Sequence, residues 1–165
     1  MRVAISDSWI FSDLSSLELT QPFFGLKLEV HTCCEVMNEL YPECRQALVP
    51  FSSAGQLIVH TLAEADHKAI VARNYPRSFS HSEKFVLYLA DRIEALVLSS
   101  DKTICKYTGC PDHGLLWIFD RLVDGGVLAK TDAFTQLKFF IESHPLYKNS
   151  KELCNEKNDR LRRWN

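Results

Sequence analysis

Apolar positions along the chain follow two rhythms. Residues 2–5 and 95–98 are short apolar runs without alternation, the pattern of strands buried on both faces of a parallel sheet. Elsewhere apolar residues return at helical spacing, most clearly as Phe85, Val86, Leu89 and Ile93, which predict a helix over 82–92. Ser80 three residues ahead of Glu83 forms a capping-box pattern at its start. In chain order, Ser6-Asp7-Ser8 ends the first strand and opens a helix carrying Trp9, Ile10, Leu14 and Leu17 toward the core. Gln21-Pro22 and Gly25 break that pattern before a strand at 28–31. Thr32 with Glu35 reads as a second capping box, for a helix that holds Val36, Met37 and Leu40 and stops before Pro42.

Periodicity weakens over 43–75, where 56–62 suggests a third strand and 63–74 a helix. The run at 95–98 ends in Ser99-Ser100-Asp101, and Asp101 can cap a short helix through Ile104 and Cys105. A turn-rich loop at 108–114 leads to an apolar helix over 115–123 that stops at Gly125-Gly126. Thr131 and Asp132 start a helix carrying Phe134, Leu137, Phe140 and Ile141, ended by Pro145; a charged helix over 151–164 is anchored by Leu153, Leu161 and Trp164. Strands alternating with helices predict an α/β fold, a doubly wound parallel sheet of four or five strands with helices on both faces. Residues 1–165 read as a single domain, with 115–165 its helical carboxyl-terminal part.

Composition narrows the functional classes. A formal net charge of -2 argues against nucleic-acid binding through bulk charge, so any RNA contact must be local. No apolar run approaches the ~18 residues of a membrane span, and Asp7 interrupts any signal-peptide core, so a cytoplasmic location without membrane contact is expected. The six cysteines contain no C-x-x-C pair and are expected as free thiols; Cys105 and Cys110 with His113 form the one cluster near zinc spacing.

Four acids fall at element ends or on helices expected to face a cleft: Asp7, Glu39, Glu83 and Asp101. Metal-dependent phosphodiester hydrolysis needs such hard oxygen donors, which hold Mg²⁺ or Mn²⁺ while the ion activates water and neutralises phosphate charge. Each acid also has a plain structural use. Asp7 and Asp101 can be helix caps, Glu83 the partner of Ser80, and Glu39 a solvated helix charge beside Glu35.

The order V-A-I-S-D7-S8, T32…E39, F79-S80…E83, S99-S100-D101 and H113-G114-L-L-W-I-F-D120 resembles a PIN domain nearly end to end, through the final R-L-R-R-W. It is similar to the prokaryotic relatives of VapC-type toxins. The resemblance implies a ribonuclease whose Asp7, Glu39, Glu83 and Asp101 bind Mg²⁺ or Mn²⁺, with Ser8 orienting a ligand or phosphate. It further implies a type II toxin that dimerises and is neutralised by an antitoxin. RNA would approach beside Lys84, Lys102, Arg73 or Arg77, and Arg160, Arg162 and Arg163 could touch phosphate or a partner. The chain departs from the family pattern in three places. Glu83 stands for the usual aspartate, Trp9 for a small polar residue, and Ser100 for the glycine of T-G-D. These departures motivate the alternative of a PIN-fold module that binds RNA or a protein without turnover. Pro111-Asp112 stands where the family has its fifth strand.

Overall fold

The computed structural model describes residues 1–110, 114–145 and 147–164. Four strands, β1 (Arg2–Ile5), β2 (Glu29–Cys33), β3 (Leu57–His60) and β4 (Leu96–Leu98), form one all-parallel sheet in the order β3-β2-β1-β4. Val3, Ala4 and Ile5 are each 0% exposed, so the central strand is covered on both faces, as its unbroken apolar run predicts. The fold is therefore the expected α/β type, a doubly wound parallel sheet. Residues 111–113, where a fifth strand was expected, lie outside the described residues.

The helices follow in chain order. After β1 come α1 (Ser8–Ser16) and α2 (Thr20–Gly25); after β2 come α3 (Cys34–Glu39) and α4 (Pro42–Ser53). Next, α5 (Glu64–Ala72) and α6 (His81–Ile93) carry the chain back to β4. Beyond β4 lie α7 (Lys102–Thr108), α8 (Gly114–Asp124), α9 (Lys130–Ser143) and α10 (Lys151–Trp164). Helix α6 lies against β1, β2 and β4, with α5 packed on it, while α1 packs with α3, α4 and α8. One continuous apolar core runs from Val3 to Trp164.

Three local differences from the sequence reading have physical causes. Pro22 and Pro42, which sequence pattern presents as breaks, each lie in the first turn of a helix, α2 and α4, where a missing backbone N–H costs nothing. Thr32 does not cap α3. It lies inside β2 at 0% exposure, and its hydroxyl donates to the Ile5 carbonyl at 2.9 Å, which satisfies a buried polar group. Trp9 does not face the core either. The buried stripe of α1 is Ile10, Phe11, Asp13 and Leu14, which leaves Trp9 50% exposed.

Helix α10 is fastened to α8 through charge. Asp120 receives Arg160 at 2.8 Å and Arg163 at 2.9 Å, so two of the carboxyl-terminal arginines are occupied in holding the fold together. Arg162 is exposed and lies 3.6 Å from Asp159.

The site is positioned by one topological event. From β1 the sheet grows through β2 to β3, then the chain returns to place β4 on the other side of β1. That reversal leaves a crevice at the carboxyl ends of β1 and β4, where open α/β sheets bind ligands.

Candidate functional site

Ile5 and Leu98 are partners in the parallel ladder, so Asp7 and Ser99-Ser100-Asp101 leave the sheet side by side. Asp7 occupies the N-cap position of α1 but makes no cap bond. Its carboxylate turns to the end of β4, accepting from Ser99 Oγ at 2.9 Å, Ser100 N at 2.8 Å and Ser100 Oγ at 2.8 Å. Three donors on one carboxylate fix its direction. Ser99 is itself fixed. Its hydroxyl accepts from Asp101 N at 3.0 Å, and its carbonyl accepts from Gly114 N at 2.8 Å. A Cβ on Gly114 would stand 3.0 Å from both the N and O of Ser99, so only glycine lets α8 approach this closely.

The other acids combine a structural bond with a place at the same cavity. Asp101 caps α7, accepting from Thr103 N at 2.5 Å. Glu83 forms the expected capping box: it accepts from Ser80 N at 2.6 Å, and its own N–H donates to Ser80 Oγ at 3.2 Å. Glu39, the last residue of α3, accepts from Ser8 Oγ at 3.1 Å. All four carboxylates line one cavity of about 590 Å³, and no lysine, arginine or histidine lines it among the described residues. The predicted Lys102 lines an adjoining cavity of about 320 Å³ with Lys106; Ser100, Ser150 and Leu153 are common to both walls. Lys102 is paired with Glu152 of α10. Lys84 is half-buried on α6 and, like Arg73 and Arg77, does not line the acidic cavity. Arg73 is paired with Asp91.

Two further groups line the neighbouring cavities. Asp13 is 3% exposed and accepts from Tyr147 OH at 2.9 Å, which ties the turn before α10 to α1. Burial pushes the Asp13 carboxyl up to about 7, opposed by the Tyr147 bond and assisted by the charge of Asp7. Burial likewise pushes the Cys105 thiol, beside Asp7 and Asp101, up to about 12, so it is a neutral thiol at pH 7. None of the six cysteines, all among the described residues, is joined in a disulfide. His113, the third member of the suggested zinc cluster, lies outside the described residues.

Donor chemistry and geometry bear separately on a metal. Carboxylate and hydroxyl oxygens, with no thiol and no basic side chain in the lining among the described residues, match a hard divalent cation such as Mg²⁺ or Mn²⁺. No group of three His, Cys, Asp or Glu side chains among the described residues is gathered closely enough to hold an ion. Mg²⁺ commonly keeps several waters and takes only one or two carboxylates directly, so this donor set fits it without such a cluster.

The four acids named from the sequence line this cavity, but the bonds that hold Asp7 and Glu39 have no local signature in the sequence. The Ser99 and Ser100 hydroxyls were visible only as a polar end to a strand. Asp13 left a signal, since it falls on the Ile10, Leu14, Leu17 stripe where an apolar residue is expected. Tyr147, 134 residues from Asp13, left none. No helix among the described residues is long and apolar enough to cross a membrane. No protein-family model and no curated protein matches this chain.

Proposed function

We propose that this chain is a metal-dependent endoribonuclease of the PIN and VapC type, working in the cytoplasm with Mg²⁺ or Mn²⁺. One observation carries the reading: Asp7 and Asp101, from adjacent strand ends, share with Glu39 and Glu83 a cavity that no cationic side chain lines among the described residues. An acidic cavity repels a phosphodiester unless a cation mediates, so a bound metal is what makes these walls useful for phosphate chemistry. Asp7, Glu39, Glu83 and Asp101 would hold it. The ion supplies Lewis-acid polarisation of the phosphate and acidification of water.

The chain's own residues do the positioning. Ser99 and Ser100 hold Asp7 aimed, Thr103 N fixes Asp101, and Ser8 steadies Glu39. Lys106, in the adjoining cavity, would offer positive charge to an RNA strand leaving the acidic one, and Lys102 would do so on release from Glu152. The resemblance supports a toxin role with an antitoxin partner and a homodimer. Purified protein should cleave single-stranded RNA with Mn²⁺ or Mg²⁺. Asp7→Asn and Asp101→Asn should each lower the rate on the order of 100-fold or more; undiminished cleavage in both variants sinks the proposal.

A second reading is a binding module without turnover. The capping-box bond of Glu83, at 2.6 Å to Ser80 N, supports it, because that oxygen already serves the helix. It expects RNA or protein binding with no cleavage under any divalent ion, and efficient wild-type cleavage excludes it.

A further inference from the structure

Trp9 stands between two cavities. It lines the acidic one and a neighbour of about 530 Å³, and Glu39 belongs to both walls. It is 50% exposed, whereas Trp164 is buried and Trp117 half-buried, so Trp9 is the indole that solvent reaches most readily. Its position is steadied by His144, whose ring lies 6.3 Å away at 80°, and His144 in turn stacks on Tyr147 at 4.0 Å and 18°. A half-exposed indole on a cavity wall offers a rigid apolar face on which a planar group can stack.

The second cavity has a definite polar sense. Ser8 donates its hydroxyl proton to Glu39, Ser12 donates to the Ser8 carbonyl at 3.1 Å, and Ser16 donates to the Ser12 carbonyl at 2.9 Å. With those protons committed, these three hydroxyls can only accept, and Glu39 and Glu43 add carboxylate acceptors, so acceptors outnumber the Ser15 and Tyr41 hydroxyls that could donate from the same lining. An acceptor-rich wall suits a partner that brings N–H donors. Burial lowers the pKa of His144, which disfavours positive charge on its ring.

We infer that Trp9 and the adjoining cavity form a nucleobase subsite, in which a base bearing an exocyclic amino group stacks on the indole while its phosphate faces the acidic cavity. Adenine, cytosine and guanine carry that amino group and uracil does not. Stacking requires an unpaired base, so the substrate class is single-stranded RNA. The inference rests on the ribonuclease reading for its phosphate, and the test separates the two.

The probes are AMP, CMP, UMP and ribose 5-phosphate, titrated into the full chain with Mg²⁺ and followed by tryptophan fluorescence and calorimetry. AMP and CMP should bind and quench the indole, with UMP about 10-fold weaker and ribose 5-phosphate weaker still. Trp9→Ala should weaken AMP on the order of 10-fold or more, and Trp9→Phe should restore most of the affinity measured by calorimetry. Ribose 5-phosphate binding as tightly as AMP, UMP equal to CMP, or Trp9→Ala unchanged overturns the subsite. If RNA cleavage depends on Asp7 while Trp9→Ala loses nothing, the subsite fails and the ribonuclease stands. If AMP binds through Trp9 while no RNA is cleaved, the subsite stands and the ribonuclease fails.

Discussion

Asp13→Asn should stabilise the protein above neutral pH and leave it nearly unchanged at pH 4. The carboxyl is 3% exposed, with one hydroxyl donor from Tyr147 and the negative charge of Asp7 nearby. Burial raises it from 3.8 to about 7. A folded-state value above the unfolded one means that the folded chain holds the proton more tightly, so stability falls as pH rises from about 4 to about 7 and is level beyond. A gap of about 3 units, at about 1.36 kcal/mol each, sets the loss at no more than about 4 kcal/mol. Asparagine is neutral throughout and its amide oxygen can still accept from Tyr147. For a chain of this length, 1 kcal/mol moves Tm by roughly 2–4 °C, so the variant should gain several degrees at pH 8.5. Thermal and urea unfolding of both proteins, at steps from pH 4.5 to 8.5, measure the difference directly. A difference that is flat with pH, or that grows toward acid, refutes the reasoning. The result bears on function because Tyr147, which Asp13 holds, stands in the wall of the acidic cavity.

Three further substitutions have outcomes set by particular contacts. Gly114→Ala forces a Cβ to 3.0 Å from the Ser99 backbone and should cost about 1–3 kcal/mol in urea unfolding, while disturbing the hydroxyl that holds Asp7. Asp120→Ala removes the carboxylate shared by Arg160, which is 4% exposed, and Arg163; a loss of about 3 kcal/mol is expected, with earlier proteolytic release of α10. Glu94 closes α6 in the left-handed region at φ 53°, so Glu94→Gly should raise stability by up to about 1 kcal/mol, read as a higher urea midpoint.

Strand and site positions differed in how far local pattern could reveal them. β1 and β4 were legible because burial on both faces writes an unbroken apolar run, and α6 because its capping box and apolar stripe agree. Helices α2 and α4 were obscured by Pro22 and Pro42, since one residue type both ends helices and suits their first turn. Asp7 and Asp101 were legible as strand-end acids. Their neighbourhood required the pairing of β1 with β4, which joins residues more than 90 apart and has no local signature. The same distance hid the roles of Ser99 and Ser100, and Trp9 was misplaced because its apolar character suggested the core when the cavity wall held it.

Electron paramagnetic resonance of Mn²⁺ titrated into the purified full chain bears most directly on the acidic cavity. The free-ion signal should be suppressed up to about one or two equivalents per chain, and it should return in Asp7→Asn and in Asp101→Asn. A free-ion signal undiminished by the wild-type protein, or equal suppression by both variants, contradicts the assignment of these carboxylates to a metal.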